Sequence, residues 1–209
     1  MNKIKSDEIL NELKNIIPNP VCELNFNNTF ELIIAVTLSA QTTDKRVNEV
    51  TEVLYKKYNT IEKLADADIE DIKRIIRPIG TFNKKAIFVK DISKALIDKT
   101  GGIVVNDREV LESLPGVGRK TVNVVLNVLF DEPTIAVDTH VDRVSKRLGL
   151  AKRSDDVLKV EKKLMKEFSK DNWNRIHHQL VLFGRYKCKS IKPICEDCKL
   201  KDICNYKKK

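Results

Sequence analysis

The sequence predicts an all-α protein, and three observations lead there. No stretch alternates apolar and polar residues with a period of two. Apolar residues recur instead at spacings of three and four, segment after segment. The segments are punctuated by helix-capping residues at their starts and by Pro or Gly at their ends. Taken in order, Ser6 is the expected N-cap of the first helix, with Asp7 and Glu8 suited to its positive end and Ile9, Leu13, Ile16 and Ile17 on one face. Pro18 and Pro20 stop it. Asn28 and Glu31 have capping-box spacing, and Phe30 to Gln41 reads as a mostly buried helix. A more polar helix carries Val47, Val50 and Leu54 on one side. Asp68 opens a short helix that must end near Arg77, because Pro78 disfavours helical geometry in the residue before it. Val89, Ile92 and Leu96 mark another, closed by Gly101 and Gly102. Further helices are expected over 107–113, 119–130, 139–148, 155–168 and 172–184.

A chain of 209 residues, 42% apolar and 33% charged, can bury a core as one domain or two small ones without disulfide staples. Lys and Arg number 39 against 30 Asp and Glu, a net charge of +9 that suits a polyanionic partner. The longest apolar run, Leu32 to Leu38, falls far short of the roughly 20 residues of a membrane-spanning helix. The start, Met-Asn-Lys-Ile-Lys-Ser-Asp-Glu, has no apolar stretch of signal-peptide type. A secreted or membrane-embedded protein is excluded on these grounds, and a cytoplasmic one is expected.

Four of the five cysteines, Cys188, Cys195, Cys198 and Cys204, share a C-x6-C-x2-C-x5-C run; only Cys22 stands apart, as a small buried hydrophobe. The segment around them has too few apolar residues to fold on a core of its own, so a crosslink is expected. Disulfides do not suit a chain without a secretion signal. Zinc and an iron–sulfur cluster remain. A single tight C-x2-C in an irregular run favours the larger iron–sulfur cube over two zinc knuckles. From Arg185 to Lys209 there are nine basic residues and three acidic ones. That surplus either offsets thiolate charge or presents Lys189 and Lys192 to a phosphate backbone.

Leu114-Pro115-Gly116-Val117-Gly118-Arg119-Lys120-Thr121 lies between two helical patterns. Gly116 and Gly118 permit a tight turn and close approach by another molecule. The following helix points its positive end and its unbonded N–H groups out of the turn, which makes an anion site; the alternative is an ordinary helical corner. Lys120 sits in a first turn, where the helix dipole disfavours a cation. It reads as a phosphate clamp, as a nucleophilic amine with a loosened proton, or as a surface lysine. Asp138, in Val137-Asp138-Thr139-His140-Val141-Asp142-Arg143, is a helix N-cap whose second oxygen is free for other work.

Together the Leu114–Thr121 hairpin, the Val137–Arg143 segment and the cysteine pattern resemble the helix-hairpin-helix DNA glycosylase superfamily. Leu38-Ser39-Ala40-Gln41-Thr42-Thr43-Asp44 and Gly80-Thr81-Phe82-Asn83-Lys84-Lys85-Ala86 are similar to two further family segments. The resemblance implies two helical domains with a DNA-binding cleft: a six-helix barrel over 21–132, and a second domain of 1–20 with 133–209. It implies a [4Fe–4S] cluster on the four cysteines in a C-terminal loop. It makes Lys120 the imine-forming nucleophile and Asp138 its acidic partner. Gln41 would fill the space of an extruded base, and Thr81 would stand where the family often has a wedging Leu. Gly116, Gly118, Arg119, His140 and Arg143 join them as DNA contacts, and His177 and His178 are expected to be structural. The implied activity is that of a monomeric bifunctional DNA N-glycosylase and abasic-site lyase. It would remove oxidised pyrimidines from double-stranded DNA in base excision repair. Relatives with Ser or Tyr in place of Lys120 use water, so the lysine argues against an adenine-mismatch enzyme. The rival readings are a non-catalytic DNA-binding module, a mismatch-specific glycosylase of the same superfamily, and an iron–sulfur electron carrier.

Overall fold

A computed structural model describes residues 3–206. The last three lysines of the basic tail, at 207–209, and the first two residues lie outside that range. The described residues contain no strand, as the missing period-2 pattern requires. Two compact units form: one is Glu23–Phe130, and the other joins the chain up to Cys22 with the chain from Asp131 onward.

The Glu23–Phe130 unit holds α2 (Thr29–Leu38), α3 (Asp44–Lys57), α4 (Ile61–Asp66), α5 (Ile69–Ile76), α6 (Phe82–Thr100), α7 (Arg108–Glu112) and α8 (Arg119–Phe130). Every residue of α2 from Phe30 to Leu38 is buried, so it is the axis of this unit, packed against α3, α6 and α8. The Asn28 side chain accepts from the Glu31 N–H at 3.0 Å. The Glu31 carboxylate reaches past the cap to the Asn27 N–H at 2.6 Å, where a capping box would return to Asn28. The helix expected to run to Gln41 stops at Leu38: beyond it the chain closes a tight turn, with the Thr42 N–H on the Ser39 carbonyl at 3.1 Å and Gln41 left-handed at φ 56°. Asp68 and Gly101 cap α5 and α6 as their positions predict, and Asp107, expected inside the next helix, caps α7. Helix α4 has no counterpart in the sequence reading. Thr60 caps it, and only Ile61, Leu64 and Ala65 face inward, too few for a periodicity.

The second unit holds α1 (Lys3–Ile16), α9 (Thr139–Leu148), α10 (Val157–Glu167) and α11 (Trp173–Tyr186). Helix α1 begins before Ser6, which is therefore an interior, buried residue and not the N-cap. Ile9 and Leu13 pack with Val141, Val144, Leu148, Ile176, Leu180 and Phe183 into one core. Helices α9 and α11 meet closely, and the reason is Gly184. A Cβ there would stand 2.9 Å from the His140 Cβ and 3.1 Å from the Val144 Cγ2. Among the described residues no helix is long and apolar enough to cross a membrane.

Candidate functional site

The hairpin is a built turn. The Val117 N–H donates to the Leu114 carbonyl at 3.1 Å, and the side chains of both residues are buried anchors. Arg108 of α7 bonds Asn123 of α8 at 2.9 Å, which ties the two arms together. Gly116 has φ +73°, and a Cβ on it would lie 2.7 Å from the Phe88 ring. Only glycine fits that conformation and that space. Gly118 is different: nothing stands within 4 Å of where its Cβ would be. Arg119 is exposed, and Lys120, the second residue of α8, is half-buried. No acidic residue occupies the first turn of α8, so its positive end is left uncompensated by sequence.

Gln41 and Thr81 lie in the same unit as the hairpin. Both are exposed, and both adopt left-handed backbone conformations, at φ 56° and 55°. Gln41 sits third in a four-residue turn closed by the Thr42 N–H on the Ser39 carbonyl at 3.1 Å. Thr81 is the N-cap of α6 but makes no side-chain cap bond; its hydroxyl donates to the Gly80 carbonyl at 2.7 Å. A left-handed residue with a side chain costs about 1–3 kcal/mol, and such residues concentrate at functional positions.

Asp138, in the other unit, caps α9. Its Oδ1 accepts from the N–H groups of His140 at 2.9 Å and Val141 at 2.7 Å, so both cap bonds use one oxygen. Asp142 pairs with Lys146 at 2.8 Å along the same helix, which accounts for a charge the sequence left unexplained. Arg143 is half-buried, and its guanidinium bonds several backbone carbonyls. It donates to the Gly184 carbonyl at 2.7 Å and the Cys188 carbonyl at 3.1 Å, and approaches the His140 Nδ1 at 3.2 Å. The geometry gives Arg143 the work of joining α9 to the start of the cysteine segment.

That segment is held by more than cysteines. Leu200 is fully buried in the core of this unit, and Cys188, Cys198, Ile203 and Cys204 pack against the same core. Arg147 grips both ends. Its side chain donates to the carbonyls of Lys189 at 2.7 Å and Ser190 at 3.1 Å, and to the Cys188 Sγ at 3.4 Å. Its own carbonyl accepts from the Asn205 N–H at 2.8 Å, and its guanidinium lies 4.0 Å over the Tyr206 ring. The Tyr206 N–H points to the Cys204 Sγ at 3.4 Å. Burial pushes the Cys198 and Cys204 thiols up, and their cysteine neighbours add to it. Among the described residues, no three His, Cys, Asp or Glu side chains gather closely enough to hold a single metal ion. Cys22 is half-buried and outside the group. His177 is buried and rests against His178, with ring centroids 4.7 Å apart.

Arg147 and Lys85 were not singled out from the sequence; no local motif marks either side chain.

The chain belongs to the HhH-GPD superfamily of base excision DNA repair proteins, whose family model matches residues 34–170. Within that superfamily it is similar to endonuclease III along its length. It is 48% identical to endonuclease III of Haemophilus influenzae over 209 residues, covering 100% of this chain and 99% of the relative. Against endonuclease III of Bacillus subtilis the identity is 47% over 195 residues, covering 93% and 89%. Among solved structures, a trapped endonuclease III–DNA covalent intermediate in an estranged-adenine complex matches with a TM-score of 0.94 and 47% identity. It covers 98% of this chain and 96% of the other.

Proposed function

We propose that this chain removes oxidised pyrimidines from double-stranded DNA and then cuts the strand at the resulting abasic site, as a bifunctional N-glycosylase and β-elimination lyase of base excision repair. The observation that carries the reading is Lys120, an amine set one residue into a helix behind a glycine turn. The likeness to a protein trapped covalently on DNA supports it.

The chemistry follows from an amine nucleophile and a fixed carboxylate. The damaged base first leaves the stack, since its glycosidic bond is out of reach inside the duplex. Breaking that bond builds positive charge on the sugar, which the Asp138 carboxylate stabilises. Neutral Lys120 attacks C1′ with its nitrogen lone pair and loses a proton, for which the Asp138 carboxylate is the proposed acceptor. The C1′–base bond breaks with its electron pair going to the base, which takes the proton back from Asp138 as it leaves. The ring C1′–O4′ bond then opens as the nitrogen lone pair forms the C1′=N bond, O4′ takes a proton from water, and a protonated imine to Lys120 remains. The imine acidifies C2′–H. Loss of that proton drives out the 3′ phosphate, and water finally releases Lys120. The exposed glycine turn with Arg119 receives a phosphate; Gln41 and Thr81 enter the helix at the vacated base; His140 lies beside the Asp138 cap.

Cys188, Cys195, Cys198 and Cys204 are the residues that would hold a [4Fe–4S] cluster. Four thiols suit it, with an Arg147 N–H and a backbone N–H already directed at two of the sulfurs. The C-x6-C-x2-C-x5-C run, with a single tight C-x2-C, favours a cube over the paired knuckles of a zinc site. Bound to these four thiolates, a cluster would crosslink this segment. A visible absorption band lost on chelation, in a protein carrying iron and sulfide, supports this assignment; stoichiometric zinc with no band overturns it.

The activity is tested with a thymine-glycol duplex. Base release and strand cleavage by the native chain, both lost in Lys120→Ala with DNA still bound, support the proposal. Binding with neither activity in the native chain replaces it with a non-catalytic DNA-binding module.

A further inference from the structure

Lys85 is a lysine where a lysine should not be comfortable. It lies on α6 and is 4% exposed. Its ammonium donates to the Leu38 carbonyl at 2.9 Å, the Ala40 carbonyl at 2.6 Å and the Thr42 hydroxyl at 3.0 Å. An ammonium has three donors, and all three are used on uncharged acceptors, none on a carboxylate. Burial lowers its pKa from the ordinary lysine value. Such a group is expensive to bury, so what it holds deserves the question.

The three acceptors are the end of α2 and the two residues that flank Gln41. Leu38 is the last residue of α2, whose negative end a cation complements. Ala40 and Thr42 bracket Gln41 in its left-handed turn. The backbone N–H of the same Lys85 donates to the Thr81 carbonyl at 3.1 Å, and Thr81 is the other exposed left-handed residue of this pair. That backbone bond is the first helical bond of α6, so the ammonium ties the Gln41 turn to the helical turn that Thr81 begins.

We infer that Lys85 is a positioning residue for base extrusion: it is the strut that holds the Gln41 and Thr81 turns at a fixed separation, so that both enter the duplex as preformed tips. The inference rests on the glycosylase reading and deepens it. Without the ammonium, the Ala40 carbonyl loses its partner, and the strained turn at Gln41 relaxes toward ordinary backbone angles. A tip displaced by about 1 Å costs up to roughly a hundredfold in rate. The cost falls on opening the stack and not on the imine chemistry, since an abasic nucleotide has no base to extrude.

The test compares two reactions of one protein. Lys85→Met keeps length and removes the donors; Lys85→Gln keeps a donor for one carbonyl. Each is assayed for base release from a paired thymine-glycol duplex and for strand cleavage at a preformed abasic site. Both rates are normalised to the fraction of protein trapped on abasic DNA by borohydride, which cancels loss of folded protein. For Lys85→Met, excision is expected to fall roughly tenfold to a hundredfold while abasic-site cleavage stays within about threefold, with Lys85→Gln between. A 2-aminopurine beside the lesion should show reduced unstacking in the variant. Equal losses in the two reactions, or none in either, overturn the role of Lys85 while leaving the glycosylase reading intact. Absence of base release by the native chain overturns that reading and this inference with it.

Discussion

Gly116→Ala and Gly118→Ala are the same chemical change two residues apart, and the structure gives them opposite consequences. At Gly116 the added methyl meets two obstacles. The left-handed conformation at φ +73° costs an alanine about 1–2 kcal/mol. The methyl also lands 2.7 Å from the Cγ and Cδ1 of Phe88. Those atoms lie at the base of the ring, one methylene from the α6 backbone, so the ring cannot swing aside without leaving its rotamer. Overpacking of this kind costs about 1–3 kcal/mol. The sum is about 2–5 kcal/mol, with a fall in melting temperature of about 10 °C for a chain of this size. At Gly118 the methyl meets nothing within 4 Å and the backbone needs no left-handed angle, so stability should stay within about 0.5 kcal/mol. What the methyl obstructs there is a phosphate approaching the turn. A lost hydrogen bond to a charged group, about 1.5–3 kcal/mol, weakens DNA binding by roughly ten- to a hundredfold. Thermal and urea unfolding measure the first effect, and fluorescence anisotropy on an abasic duplex at fixed salt measures the second. Native stability in Gly116→Ala, or equal destabilisation by the two substitutions, refutes the geometric argument. Unchanged affinity in Gly118→Ala refutes the phosphate site.

Asp138 separates capping from catalysis. Asn caps as well as Asp, so Asp138→Asn should melt like the native protein yet excise base about a hundredfold more slowly; Asp138→Ala should lose about 1 kcal/mol of stability besides. Single-turnover kinetics beside thermal melts tells them apart, and equal stability losses in the two variants contradict the cap. His178 predicts acid lability. Burial pushes it from 6.5 down to about 4, so the unfolded chain takes up a proton below 6.5 that the folded chain refuses until about 4. Its contribution is fully present above pH 6.5 and is lost as pH falls through that window, by about 2 kcal/mol at about pH 5. Urea melts across that range should show the slope, and His178→Gln should flatten it; an unchanged slope contradicts the assignment.

The sequence showed most clearly what is local. Asn28, Asp68 and Asp138 each sit next to the N–H groups they cap, so position along the chain was enough to identify them. Helix α4 escaped because its six residues are shorter than two helical turns. The stop at Leu38 escaped because no Gly or Pro follows it; the helix ends in a turn through a left-handed Gln41. The left-handed angles of Gln41 and Thr81 carry no residue signature, since neither is glycine. The internal bonds of Lys85 and Arg143 were illegible for a common reason. Each side chain donates to carbonyls 41 to 47 residues away in the chain, which only the folded structure brings near. Arg147 is the third such case.

The measurement that bears most directly on the whole account is the identity of the atom that bonds to DNA. The protein is mixed with a thymine-glycol duplex, reduced with borohydride, digested and read by peptide mass spectrometry. The account predicts one deoxyribose-derived adduct on the peptide carrying Lys120, absent without reductant and absent from Lys120→Ala. An adduct on any other residue, or turnover of the lesion with no adduct at all, contradicts it.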